Sequence, residues 1–135
     1  MHALTWKLDA PGVDIAGEIA VALNGQLPLE QAMRRGEFAA VMQSAAMGNL
    51  FLNGKSLRPI TRDPDIYELR WKFGSRLYRM YHAEPSRFPE DLIALRFHEK
   101  LTAGLTDAEV HAAQQDEISL AIVRYHAGDP HDWGL

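Results

Sequence analysis

Residues Ile66 to Lys100 read IYELRWKFGSRLYRMYHAEPSRFPEDLIALRFHEK, and the period of their apolar side chains decides the fold class. From Ile66 to Phe73 the apolar residues Tyr67, Leu69, Trp71 and Phe73 alternate with Glu68, Arg70 and Lys72. A period of two sends successive side chains to opposite faces, so this stretch is expected to be a strand with one buried face. Gly74 and Ser75 supply a two-residue turn, and Arg76 to Glu84 can pair back as the second arm of a hairpin. A looser loop with two prolines, Pro85 to Asp91, leads to Leu92–Phe97, a mostly apolar run of strand length that belongs deeper in the sheet. Three consecutive strands joined in this way predict a mainly antiparallel sheet.

The flanks supply the layers that cover it. Ala3–Leu8 reads as a first strand at the sheet edge. Asp14 is placed to cap a helix starting at Ile15, with Ile19, Ala22 and Leu23 at helical spacing and Asn24-Gly25 closing it. Pro28 suits the first turn of a second helical segment, which Gly36 is expected to bend or end. From Glu37 onward, Phe38, Val41, Met42, Ala45 and Ala46 form the stripe of a helix laid on a sheet. Leu52–Pro64, punctuated by Asn53-Gly54, Pro59 and Asp63-Pro64, reads as a long connection. Thr106-Asp107-Ala108-Glu109 is a capping box that opens a last helix, with Val110, Ala113, Ile118, Ala121, Ile122 and Tyr125 on its apolar side and Gly128 and Pro130 at its end. The expected architecture is α+β: a small, mainly antiparallel sheet packed against helices in the order strand, helices, three strands, helix. It forms one domain over residues 1–135, with residues 127–135 a loose tail.

A chain of 135 residues with 47% hydrophobic side chains can bury a single core. It contains no apolar run of membrane-spanning length and no secretory layout at its start, so a cytoplasmic location without a membrane partner is expected. Without cysteine there are no disulfides and no thiol catalysis. The net charge of −4 is unevenly spread: residues 54–100 hold ten basic and seven acidic side chains, whereas residues 101–135 hold one and six. The strand region is therefore locally basic, which fits either a solvated sheet face or an anion-binding one. His126, Asp129, His131 and Asp132 are possible metal ligands, but a loose tail gives a metal no rigid surroundings, and no metal is expected. There is no glycine-rich phosphate loop, zinc-protease motif or nucleophile elbow, so no nucleotide or other cofactor is expected.

Tyr67-Glu68-Leu69-Arg70, then Tyr78-Arg79, then Phe97 and Lys100, then Thr106–Glu109 follow one another in an order that resembles the RelE/ParE/HigB-like toxin superfamily, especially its phage-derived host-killing-protein branch. The resemblance covers residues 37–125. It implies the toxin component of a type II toxin–antitoxin system, a metal-independent RNA endonuclease acting on translated mRNA. Its partners would be a cognate antitoxin, the ribosome and mRNA; other members of the superfamily act on gyrase. Such a nuclease uses the RNA's own 2′-hydroxyl, and needs a base, cations for the phosphorane and a proton donor for the leaving 5′-oxygen. By the resemblance, Arg70 and Arg79 are the phosphate-stabilising pair and Lys100 matches a basic residue after the last strand.

His98 is a candidate base by its position near Lys100 rather than by a family counterpart. Lys72, Arg76 and Arg96 are further candidates for contacting RNA, whereas Tyr125 fits core packing better than an acid role. Arg70 and Glu68 can equally belong to a cross-strand ion-pair ladder. Alternation alone leaves open which of Arg76 and Arg79 points into the site, because a one-residue slip reverses the faces. A second function class stands beside the first: a non-catalytic phage- or prophage-derived protein-interaction module with the same fold. Glu99, at a position that is lysine in many of those toxins, and the acidic closing segment favour it.

Overall fold

A computed structural model describes residues 3–50 and 56–135. The element order is β1 (Thr5–Lys7), α1 (Ile15–Leu23), α2 (Pro28–Ala46), β2 (Leu57–Ile60), β3 (Asp63–Phe73), β4 (Arg76–Ala83), β5 (Asp91–Lys100) and α3 (Asp107–Gly128), followed by a short 3₁₀ segment, Asp129–Gly134. The five strands form one mixed sheet in the order β1-β5-β4-β3-β2, with β1 parallel to β5 and every other pairing antiparallel. This is an α+β fold with helices packed on a mostly antiparallel sheet. The central hairpin closes where expected: Phe73 pairs with Arg76, and Gly74 adopts φ 62°, a left-handed conformation that costs glycine little. Among the described residues, no helix is long and apolar enough to cross a membrane.

One face of the sheet is covered by α2. Phe38 on α2 is buried against Trp71, Tyr78 and Phe97, with ring centroids 5.2, 5.1 and 4.9 Å away. The indole nitrogens of Trp6 and Trp71 donate to the carbonyls of Met42 and Glu37 at 2.8 and 3.2 Å, which ties the helix to two separate strands. These anchors hold α2 continuous through Gly36, where a bend or stop was expected; a helical glycine costs only about 1 kcal/mol relative to alanine.

The opposite face is partly covered by α3, and this corrects the picture of a sheet with one wholly solvated face. Glu68, expected to face water, is 1% exposed. α3 starts at the expected cap, with Glu109 N donating to the Thr106 hydroxyl and Thr106 N donating to the Glu109 carboxylate.

β5 lies deep in the sheet, and Leu92–Leu95 and Phe97 are buried. Because β1 pairs with it only at Asp91–Ile93, the rest of that edge would leave buried backbone groups unpaired, which is costly. Side chains close it instead. Phe97 N donates to the Glu18 carboxylate of α1 at 2.9 Å, and Arg124 of α3 donates to the Leu95 carbonyl at 2.8 Å.

Two further expectations are corrected. The connection read over Leu52–Pro64 contains strand β2, and β3 begins at Asp63; residues 52–55 of that reading lie outside the described residues. Pro59 signals a break, yet β2 is the outermost strand, where a residue without N–H is tolerated. The tail is not loose either. Trp133 is 1% exposed, stacks on Tyr125 at 5.1 Å and donates from its indole nitrogen to the Tyr125 carbonyl at 2.8 Å. Gly128 makes the room, since a Cβ there would lie 2.4 Å from the Trp133 ring.

Candidate functional site

Strand register places the basic residues. Arg70 on β3 lies directly opposite Arg79 on β4, and Arg79 lies opposite His98 on β5. Two positions along, Lys100 faces Leu77, and on the other side of β3 Arg58 of β2 faces Glu68. Arg58, Glu68, Arg70, Arg79, His98 and Lys100 therefore share one face of the sheet, the face that carries α3. Two arginines directly opposite each other repel, which is unfavourable unless an acid intervenes. Glu68 is that acid. Its carboxylate oxygens lie 2.8 Å from Arg79 Nε and 3.5 Å from Arg58 Nε. The approach to Arg79 is ionic and lacks hydrogen-bond alignment, while Arg79 Nη1 donates to the Tyr78 carbonyl at 2.9 Å.

The cluster is graded by depth. Arg79 is buried, Arg70 and Lys100 are partly buried, and Arg58 and Lys72 are exposed. Burial and the neighbouring Arg70 push the Arg79 pKa down, with Glu68 opposing them. Burial pushes the Lys100 ammonium down as well, reinforced by Arg79 and Arg70. Lys100 thus gives up a proton more readily than a solvated lysine. The mutual influence of these groups marks one positive centre in a chain whose net charge is −4.

His98 sits at the inner edge of this centre. Its Nδ1 is 3.2 Å from the Glu99 carbonyl and its Nε2 is 3.2 Å from the Tyr81 hydroxyl, with the two rings stacked at 5.6 Å. Only a protonated Nδ1 can bond a carbonyl, so Nε2 is the acceptor of a hydrogen bond donated by the Tyr81 hydroxyl. Burial lowers the His98 pKa, Arg96 and Arg79 act in the same direction, and Glu117 opposes them. A histidine with a depressed folded pKa contributes stability that is fully present above its unfolded pKa of about 6.5 and is lost as pH falls below that value. The urea midpoint of the wild type should therefore drop between about pH 7.5 and about pH 5.5. His98→Gln should flatten that slope, and an unchanged slope would assign it to other groups.

The remaining candidates divide. Lys72 shares the basic face at its open end. Arg96 lies on the same face but is held within the fold by Glu117 and Glu18 at 3.2 and 3.3 Å, joining β5 to α3 and α1. Arg76 points to the other face and pairs with Glu99 at 3.1 Å, so the register puts Arg79 in the cluster and Arg76 outside it. Tyr125 lies near the far end of β3, where its hydroxyl donates to Asp65 at 2.8 Å. Near the C-terminus His126 bonds Asp63 at 3.1 Å, and Asp129 and Asp132 pair with Arg87. Among the described residues, no group of three or more His, Asp or Glu side chains is arranged to hold a metal.

Sequence reasoning missed Arg58. The alternation of Leu57, Arg58, Pro59 and Ile60 was a signal for its strand, masked by the proline. No family model, curated protein or solved structure matches this chain. Guanidinium and ammonium groups at graded depth suit an oxyanion: exposed ones meet it, and the buried one adds field without having to be desolvated at binding.

Proposed function

We propose that this chain is a RelE-like toxin component of a toxin–antitoxin pair that binds mRNA on the β3–β5 face and cleaves it without a metal. The observation that supports the reading is the cross-strand pair Arg70–Arg79, joined by Lys100, forming a positive centre in an acidic protein. In this reading Arg70 and Lys100 contact the scissile phosphate and Arg79 stabilises charge from beneath. The 2′-oxygen attacks phosphorus as the bond to the 5′-oxygen breaks. His98 takes the 2′-hydroxyl proton on Nε2 once the Tyr81 hydroxyl that occupies this nitrogen in the free protein has turned away, and Lys100 supplies one to the leaving 5′-oxygen. The partners are a cognate antitoxin, the ribosome and translated mRNA, in the cytoplasm.

The second reading, a non-catalytic phage- or prophage-derived interaction module, is favoured by a specific observation. Arg76, Arg79 and Arg96 each meet a carboxylate of the same chain, which leaves less of the positive charge for RNA. Induced expression with message followed over the first minutes separates the two. Arg70→Ala and Lys100→Ala are the informative variants, because neither strands the buried Glu68–Arg79 pair. We expect growth arrest and message cleavage by the wild type, and a fall of roughly 10²–10³ in cleavage rate for each variant, as for loss of one oxyanion-stabilising donor. Unimpaired growth and intact message with folded protein would transfer the function to the interaction module.

A further inference from the structure

A cavity of about 160 Å³ opens beside the basic cluster, between β2 and the first half of α3. It is smaller than the roughly 300 Å³ or more of sites for drug-sized molecules, which favours a small ligand such as one planar ring system. Its lining joins the apolar side chains of Ile60 and Ile118 to the hydrogen-bonding groups of His111 and Gln114 and the charged groups of Arg58, Arg62 and Glu68. Arg58, about half exposed, stands at its rim. The outer wall is braced: Arg62 in the β2–β3 turn donates to the Gln115 carbonyl and side chain at 3.2 and 3.1 Å and to the Ser119 hydroxyl at 3.0 Å.

We propose that this cavity is a nucleobase subsite for single-stranded RNA whose phosphates lie on the adjoining cations. The inference rests on the RNA-binding reading and deepens it. The one carboxylate in the lining, Glu68, is already met by Arg79 and Arg58, and a base suits the apolar and hydrogen-bonding side chains beside it. Its faces meet Ile60 and Ile118, its edge meets the amide of Gln114 and the imidazole of His111, and the planar guanidinium of Arg58 at the rim can stack or hold the flanking phosphate. Arg58 faces Glu68, the β3 residue two before Arg70, so a strand seated here continues directly onto the positive centre.

The test is fluorescence anisotropy at low salt with a labelled five-nucleotide single-stranded RNA and with the same RNA carrying one abasic residue at each position in turn. The proteins are the full chain as wild type, His111→Ala, Gln114→Ala and Arg70→Ala. His111 is exposed on a helix that tolerates alanine, so its variant keeps the fold even if Gln114→Ala does not. For the wild type, one abasic position should weaken binding about tenfold, the scale of a seated base. His111→Ala and Gln114→Ala should bind the intact RNA more weakly and lose that positional penalty. Arg70→Ala should weaken all the RNAs by a similar factor, keep the penalty and lower the salt slope by about one phosphate contact. Equal affinity for every abasic position in the wild type, or a penalty that survives both cavity variants, overturns the subsite and leaves RNA binding standing. No binding of any RNA by the wild type overturns both.

Discussion

Glu68→Ala should lower the unfolding free energy by about 3–5 kcal/mol, the range for removing one partner of a buried ion pair. The carboxylate is 1% exposed and Arg79 is 3% exposed, so its loss strands a guanidinium in the interior with Arg70 directly opposite. Arg79→Ala should cost a similar amount by leaving Glu68 without its closest cation. The double variant Glu68→Leu/Arg79→Met should recover most of the loss, because well-packed apolar residues often replace a buried pair at little cost. Urea denaturation of the wild type, the two alanine variants and Glu68→Ala/Arg79→Ala gives the coupling directly, with Glu68→Leu/Arg79→Met measured beside them. Additive single losses would mean that the pair does not act as a unit. The same reasoning bears on activity assays: loss of function in Arg79→Ala alone does not separate catalysis from folding, which is why Arg70 and Lys100 carry that test.

Trp133→Ala should destabilise the protein by about 3–5 kcal/mol, as expected for truncating a fully buried aromatic. The ring has four relationships at once: it stacks on Tyr125, meets Phe88 edge-on, lies under the Arg87 guanidinium at 4.5 Å and donates a hydrogen bond to the Tyr125 carbonyl. The backbone also shows how firmly the ring is placed. Asp132 and Trp133 adopt φ 51° and 52°, a left-handed conformation that aspartate tolerates but a bulky aromatic residue rarely adopts, so burial of the indole must offset it. Thermal unfolding of Trp133→Ala beside Trp133→Phe checks the argument: the phenylalanine variant should keep part of the stacking and lose only part of the stability. A melting temperature unchanged in Trp133→Ala would show that the 3₁₀ segment contributes nothing to the fold.

Much of the architecture was written in local signals. The alternation from Tyr67 to Phe73, the Gly74-Ser75 turn, the Asp14 cap and the Thr106–Glu109 box act within a few residues, through steric period and backbone hydrogen bonding, and each appears where it was read. The sequence put Arg70, Arg79 and Lys100 on successive strands but left open whether they share a face, which the register decides by placing all three on one. Other features depended on partners distant in the chain. Period two says that Glu68, Arg70 and Lys72 share a face, but not that α3, which begins more than thirty residues later, covers part of it. Glu68 became a buried counter-ion and Lys72 stayed in water although they are four residues apart on one strand. Pro59 reads as a breaker until its strand is known to be the sheet edge, and the C-terminal residues look unstructured until Tyr125, Phe88 and Arg87 surround Trp133.

By itself, then, the sequence determined the α+β class, the central hairpin and the region in which positive charge collects, because short-range sterics and hydrogen bonding specify them. Only the tertiary structure decided which of those charges are buried against carboxylates inside the fold, which stay exposed, and where a cavity adjoins them. Burial and Coulomb interaction depend on what packs against a side chain, and that is settled by elements remote in the chain.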